Sequence, residues 1–199
     1  WIKSFPANSN MEIENLLPVQ LREELRKWLQ ENGKTAKSCW VLVSMTPTPN
    51  RLLYLDAVEE ALCCGWIDGV KKKMTETELA QRLSPRSRTS SWTELNKERV
   101  RRLDKLGLMR DAGRMVLPDM DRNSFIIDED IERKLKEEKQ VYDNFMAFPD
   151  LYKRVRIDTI QCNKHQPELY RSRLEKFITN TRANKMYGQW NDNGRLLDY

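Results

Sequence analysis

Residues 66–86 read Trp66-Ile67-Asp68-Gly69-Val70-Lys71-Lys72-Lys73-Met74-Thr75-Glu76-Thr77-Glu78-Leu79-Ala80-Gln81-Arg82-Leu83-Ser84-Pro85-Arg86, and whether this stretch is a hairpin or a helix decides the fold. Gly65 stops what precedes it, and 66–73 then reads as a strand. The stretch 75–83 is ambiguous by local chemistry, because Thr75 followed by Glu78 imitates a helix capping box. Its place between a strand and a proline-containing turn favours a partner strand over 77–83. A third strand is expected at 38–45, SCWVLVSM, a short apolar run rich in β-branched and aromatic residues. The TPTPN that follows forces a turn.

Working outward, helical spacing dominates. Leu17, Leu21, Leu25, Trp28 and Leu29 share one face over 18–32, with Pro18 in the first turn and Gly33 as the stop. Asp56 caps a helix running to Cys64, with Ala57, Val58, Ala61 and Leu62 inward. Ser91 with Glu94 makes a capping box for a helix to Lys105, and a short helix follows from about Arg110 to Leu117. Beyond a linker at 119–124 the chain reads as all-helical. Ile131, Leu135, Tyr142 and Phe145 line one helix, 151–162 is a second, and Pro167 opens a third. The expected fold is α+β, mainly helical, with a small antiparallel sheet and a C-terminal helical subdomain. The expected domains are an α+β core over 1–118, a helical subdomain over 119–187, and a polar, frayed tail over 188–199.

The 199 residues suffice to bury a core without disulfide or metal staples. A net charge of +5, with 30 acidic residues among 35 basic ones, attracts polyanions weakly and falls short of a dedicated nucleic-acid stripe. No stretch of ~18 apolar residues occurs, so no membrane span is expected. The opening WIKSFPANSN has no apolar core of signal-peptide length, and it starts without Met, which suggests a trimmed start. Cys39, Cys63, Cys64 and Cys162 form no Cys-x-x-Cys pair, and His165 is the single histidine, so no metal and no cofactor is expected. Free buried thiols in a reducing compartment are the natural reading, hence a cytoplasmic protein.

Three blocks carry a resemblance. The first is Tyr54-Leu55-Asp56-Ala57-Val58-Glu59-Glu60-Ala61-Leu62-Cys63-Cys64-Gly65-Trp66-Ile67-Asp68-Gly69. The second is Arg82-Leu83-Ser84-Pro85-Arg86 with Ser91-Trp92-Thr93-Glu94-Leu95-Asn96-Lys97. The third runs from Phe145 to Leu151 and from Asn163 to Lys185. Together they resemble the YdeI/OmpD-associated (bacteriocin-protection) family. Cys64 stands where that family usually has Phe, and Asn163-Lys164-His165-Gln166-Pro167 replaces its commoner Ala-Lys run. The resemblance implies no established enzymatic activity. The family's name implies tolerance of antimicrobial peptides and a porin association, and the expected role is in stress or antimicrobial-peptide tolerance.

The residues themselves offer one polar constellation. Alternation puts Trp66 and Asp68 on one strand face, where an acid and an indole could line a pocket. Arg82 and Arg86 flank Pro85, close to the helix start at Trp92 and Asn96, and guanidiniums beside backbone donors suit an anion. Trp66, Asp68, Arg82, Arg86, Trp92 and Asn96 therefore make a candidate ligand site. The plainer alternatives are a core role for Trp66 and a structural Asp68–Arg86 bridge. A Cys63–His165 catalytic pair lacks an adjacent base, and no catalytic residue is assigned, although Asp68 as acid or base stays open. Lys97, Arg99, Arg101, Arg102, Lys105, Arg110 and Arg114 make a second, basic candidate surface on a helix–Gly–helix segment. The expected function is binding of a small anionic ligand or an acidic partner. The alternative is a nucleic-acid-binding accessory protein that uses its basic helices.

Overall fold

The apolar run at 38–45 becomes the hub of a mixed sheet, because three other strands find backbone partners there. The computed structural model describes residues 12–199; the reading of the first ten residues lies outside them. Strand β1 is Leu16–Leu17, β2 is Cys39–Ser44, β3 is Leu52–Leu53, β4 is Trp66–Lys73 and β5 is Leu79–Pro85. The strand order is β1-β2-β5-β4, with β3 also on β2. The expected three strands are present, and β2–β5 and β4–β5 pair antiparallel. The sheet is mixed rather than purely antiparallel, because β1 and β3 each pair with β2 in parallel. Two-residue strands are too short to show alternation, which is why the sequence does not announce them.

The described residues divide into two compact units, residues 12–90 with 106–117, and residues 91–105 with 118–199. This departs from the expected boundary at 118, since the helix after Ser91 groups with the C-terminal residues. The first unit holds the sheet with helices α1 (Arg22–Asn32), α2 (Tyr54–Cys63) and, further along the chain, α4 (Asp111–Arg114). Helix α1 starts four residues later than Pro18 suggests. The Glu24 carboxylate accepts the backbone N–H groups of Gln20 and Leu21 at 2.7 and 3.1 Å, and Leu17 is taken by β1. Leu25, Leu29, Trp40, Val41, Val58, Trp66 and Leu83 fill the core of this unit. Gly65 turns with φ +75°, and a Cβ there would meet the Ala112 carbonyl at 2.6 Å, so only glycine lets α4 approach.

The second unit contains α3 (Glu94–Lys105), α5 (Glu129–Lys136), α6 (Lys139–Ala147), α7 (Asp150–Gln161) and α8 (Pro167–Arg182). The stretch read as one helix through Ile131 and Phe145 is two, α5 and α6. Ile131, Leu135, Val141, Phe145, Tyr152, Ile157 and Phe177 form their common core. Helix α3 begins with the Glu94 amide donating to the Asp158 carboxylate at 2.9 Å. The Glu94 side chain accepts from Arg154 at 2.8 Å. Next to it, buried Glu98 accepts from Arg101 at 2.6 Å, Arg122 at 2.7 Å, Arg154 at 3.1 Å and the Tyr199 hydroxyl. Burial pushes the Glu98 carboxyl up, but the hydrogen bonds from Arg122, Tyr199, Arg101 and Arg154 outweigh it and hold its pKa near 2. Residues 188–199 are not a frayed tail. Asp192 is buried and accepts a two-pronged Arg99 contact at 2.7 and 2.8 Å, Trp190 packs edge-on to Tyr152, and Leu196 is buried beside Leu151 and Val155.

Candidate functional site

Of the six residues singled out in the sequence, Trp66, Asp68, Arg82 and Arg86 lie in the first unit, and Trp92 and Asn96 in the second. Trp66 is 1 % exposed, lies edge-on to Trp28, and donates its indole N–H to the Gly33 carbonyl at 3.2 Å, so it is a core residue. Asp68 is half-buried and accepts from the Tyr54 hydroxyl at 2.8 Å. Arg86 is buried just past β5, and its amide donates to the Gly65 carbonyl at 2.9 Å. Burial lowers the Arg86 guanidinium pKa, and the Asp68 carboxylate acts against that fall. The Asp68 carboxylate thus lies close enough to be felt at Arg86.

Arg82 points the other way. Asp68 pairs with Leu83 across β4 and β5, so Arg82, one residue along, faces the opposite side of the sheet, beside Trp40. Trp92 and Asn96 belong to the second unit. There the Asn96 side-chain oxygen accepts from Arg99 at 2.8 Å, and its backbone amide donates to Thr93 Oγ1 at 3.1 Å.

The acids of the first block are structural. Glu59 and Glu60 of α2 are buried. Arg26 meets both Glu60 oxygens at 2.7 and 2.8 Å, and Arg22 reaches Glu60 at 2.7 Å, Glu59 at 3.1 Å and Asp56 at 3.2 Å. The guanidinium of Arg22 would lose basicity through burial, but Glu60, Glu59 and Asp56 raise its pKa instead. The sequence holds a signal for this network: two arginines four apart on α1, and adjacent acids on an otherwise apolar face of α2. Burial pushes the Cys63 thiol up to about 12 and Cys64 up to about 11, so both stay protonated, and the Cys63 nucleophile has no thiolate to offer.

The strand expected at 66–73 has a feature the sequence reading gave no role: it lies at the edge of the sheet. β4 ends the sheet, and residues 69–73 are exposed. The register slips between Asp68 and Lys71 at a bulge. Buried Gln81 holds that bulge from behind, its amide nitrogen 3.0 Å from the Gly69 carbonyl and 2.9 Å from that of Arg82. Beyond the bulge Lys71 and Lys73 share a face and Lys72 takes the other. The Lys71 ammonium sits 3.5 Å from the Tyr54 ring centroid. Lys73 pairs with Glu76 at 3.0 Å, an exposed contact, whereas on the basic helix Lys97 pairs with buried Glu94 at 3.1 Å, Arg99 with buried Asp192, and Arg101 with buried Glu98.

Residues 17–116 match the family model described as a domain of unknown function, DUF8412. The chain belongs to this family. The DUF8412 segment contains the Trp66–Asp68–Arg86 arrangement, the Glu59–Glu60 network and β4. Residues 124–184 match a second family model, described as bacteriocin-protection, YdeI or OmpD-associated. The YdeI/OmpD-associated resemblance is therefore carried by the C-terminal region, where the third block lies. The first two blocks lie within the DUF8412 match. No curated protein and no solved structure matches the chain. No helix among the described residues is long and apolar enough to cross a membrane.

Proposed function

We propose that this protein is a binding protein of stress or antimicrobial-peptide tolerance whose DUF8412 unit takes an acidic, extended partner along β4. The carrying observation is the exposed outer strand with three consecutive lysines, Lys71, Lys72 and Lys73. An unpaired strand edge offers backbone donors and acceptors to a further strand. Lysines along that edge repel a second copy of themselves and attract carboxylates, so the same residues deter self-pairing and select an acidic strand. With Lys71 and Lys73 on one face and Lys72 on the other, the best-suited partner carries acids on both faces of its strand. The bacteriocin-protection description of the second match supports the tolerance role. The four free cysteines, three of them buried, support a reducing, cytoplasmic setting. The nucleic-acid alternative draws no support from α3, whose Lys97, Arg99 and Arg101 are already paired.

The test is fluorescence anisotropy with a labelled peptide of alternating Glu and Thr. Binding should weaken at least about tenfold in the Lys71→Glu, Lys72→Glu, Lys73→Glu triple variant, and should weaken with added salt. The three side chains are exposed, so the variant should fold, with a melting temperature lowered only slightly by loss of the Lys71–Tyr54 contact and the Lys73–Glu76 pair. Undiminished binding by a folded triple variant overturns the proposal. So does a DNA oligonucleotide that binds more tightly than the peptide.

A further inference from the structure

A concavity of about 360 Å³ opens in the DUF8412 unit between the C-terminal end of α1 and α4. This is near the lower end of the ~300–1,000 Å³ usual for small-molecule sites. Its inner surface includes three buried apolar side chains, Leu29, Cys64 and Met109. Two cations, Lys34 and Arg110, stand on its lining as exposed residues, joined by the Asp111 carboxylate. Among the described residues the side chains of Lys34 and Arg110 enter no hydrogen bond or ion pair, which contrasts with the arginines of α1 and α3. The charge offered to a ligand is thus two positive against one negative.

The walls are fixed before any ligand arrives. The Gly33 amide closes α1 by donating to Leu29 at 2.8 Å, and its carbonyl is held by the Trp66 indole at 3.2 Å. On the other side the Arg110 amide donates to the Cys63 carbonyl at 3.0 Å. A Cβ on Gly113 would strike that same carbonyl at 2.3 Å, so α4 lies directly against the end of α2. A preformed wall lowers the ordering cost of binding.

We infer that this concavity binds a small organic monoanion, a carboxylate whose head lies between Lys34 and Arg110 and whose apolar body rests on Leu29, Cys64 and Met109. A guanidinium and an ammonium match a carboxylate, while Asp111 on the same lining penalises a doubly charged phosphate. The neutral Cys64 thiol belongs to the apolar surface. The site is separate from the acidic partner proposed for β4 and stands or falls without it.

Isothermal titration with hexanoate tests the inference, with hexanol and inorganic phosphate as controls. Hexanoate should bind with a Kd of about 1 mM, as befits so small a ligand, and bind at least about tenfold more tightly than either control. The Lys34→Glu, Arg110→Glu variant changes exposed residues only, so it should fold and should lose hexanoate at least about tenfold. Cys64→Phe should fill the concavity and abolish binding. Should that variant fail to fold, the charge-reversal variant alone decides. Hexanoate binding retained by the folded charge-reversal variant overturns the inference, as does hexanol binding equal to hexanoate, or no hexanoate binding at all.

Discussion

Replacing Glu98 by Gln should expose how much the second unit depends on one buried carboxylate. Glu98 is 3 % exposed and gathers Arg101, Arg122, Arg154 and Tyr199 on its two oxygens. Its pKa falls from the ordinary 4.5 to about 2 on folding. At about 1.4 kcal/mol per pH unit, that fall amounts to ~3 kcal/mol of native stability. A lowered carboxyl pKa contributes fully above the unfolded value. The contribution drains away as pH falls from 4.5 toward 2, where the folded protein also takes the proton. Glutamine keeps the shape and the acceptor oxygen but not the charge. Glu98→Gln should therefore cost about 3 kcal/mol near neutral pH and steadily less below about pH 4.5. Urea unfolding followed by tryptophan fluorescence, at steps from neutral pH down to about pH 3, measures both. A loss under about 1 kcal/mol near neutral pH, or the same loss at every pH, refutes the reasoning, because it would place Glu98 among weak surface pairs.

Asp68→Ala should destabilise the protein by about 1–3 kcal/mol, less than a fully buried pair would cost, since Asp68 is only half-buried yet offsets the buried Arg86 charge. Asp68→Asn should recover part of this through the Tyr54 hydrogen bond, and a change below about 0.5 kcal/mol for Asp68→Ala in chemical denaturation would contradict the coupling. In thiol titration of the native protein, exposed Cys162 should react first. Buried Cys39 and Cys63, both pushed to about 12, and Cys64, at about 11, should lag. All four should react once denatured, and a fast phase that survives Cys162→Ser would count against the burial argument.

Helices were readable where apolar residues repeat at helical spacing and end up inside. Leu25 and Leu29 on α1, and Ile131 and Leu135 on α5, are nearly inaccessible. The hairpin was readable because Pro85 and Gly65 bracket it. The candidate site was less readable, for a reason of parity. Alternation correctly groups Trp66 with Asp68, but alternation alone does not say which face of the sheet is covered, and here it is covered over Trp66. Placing Arg82 requires the register, and the bulge between Asp68 and Lys71 lies outside any local pattern. The C-terminal residues escape for another reason. Their anchor, Arg99 to Asp192, joins positions 93 apart, and a single pair at that separation leaves no periodic trace.

The division of labour between the two basic residue types ties the fold to the proposed binding. Five carboxylates are buried among the described residues, Glu59, Glu60, Glu94, Glu98 and Asp192, and each meets an arginine. Guanidinium suits that work, since its planar fork satisfies several carboxylate lone pairs at once and it is less strongly hydrated than ammonium. The acids in these networks contribute little field outside, because their charge is cancelled at hydrogen-bond distance. Lysines on β4, of which Lys73 also meets Glu76, and Lys34 at the concavity remain at the surface, where an anion can reach them. Net charge spread evenly would attract polyanions without preference. Sequestering five acids inside leaves more of the surface cations unopposed, and the two charge-reversal variants probe a strand edge and one small cavity separately.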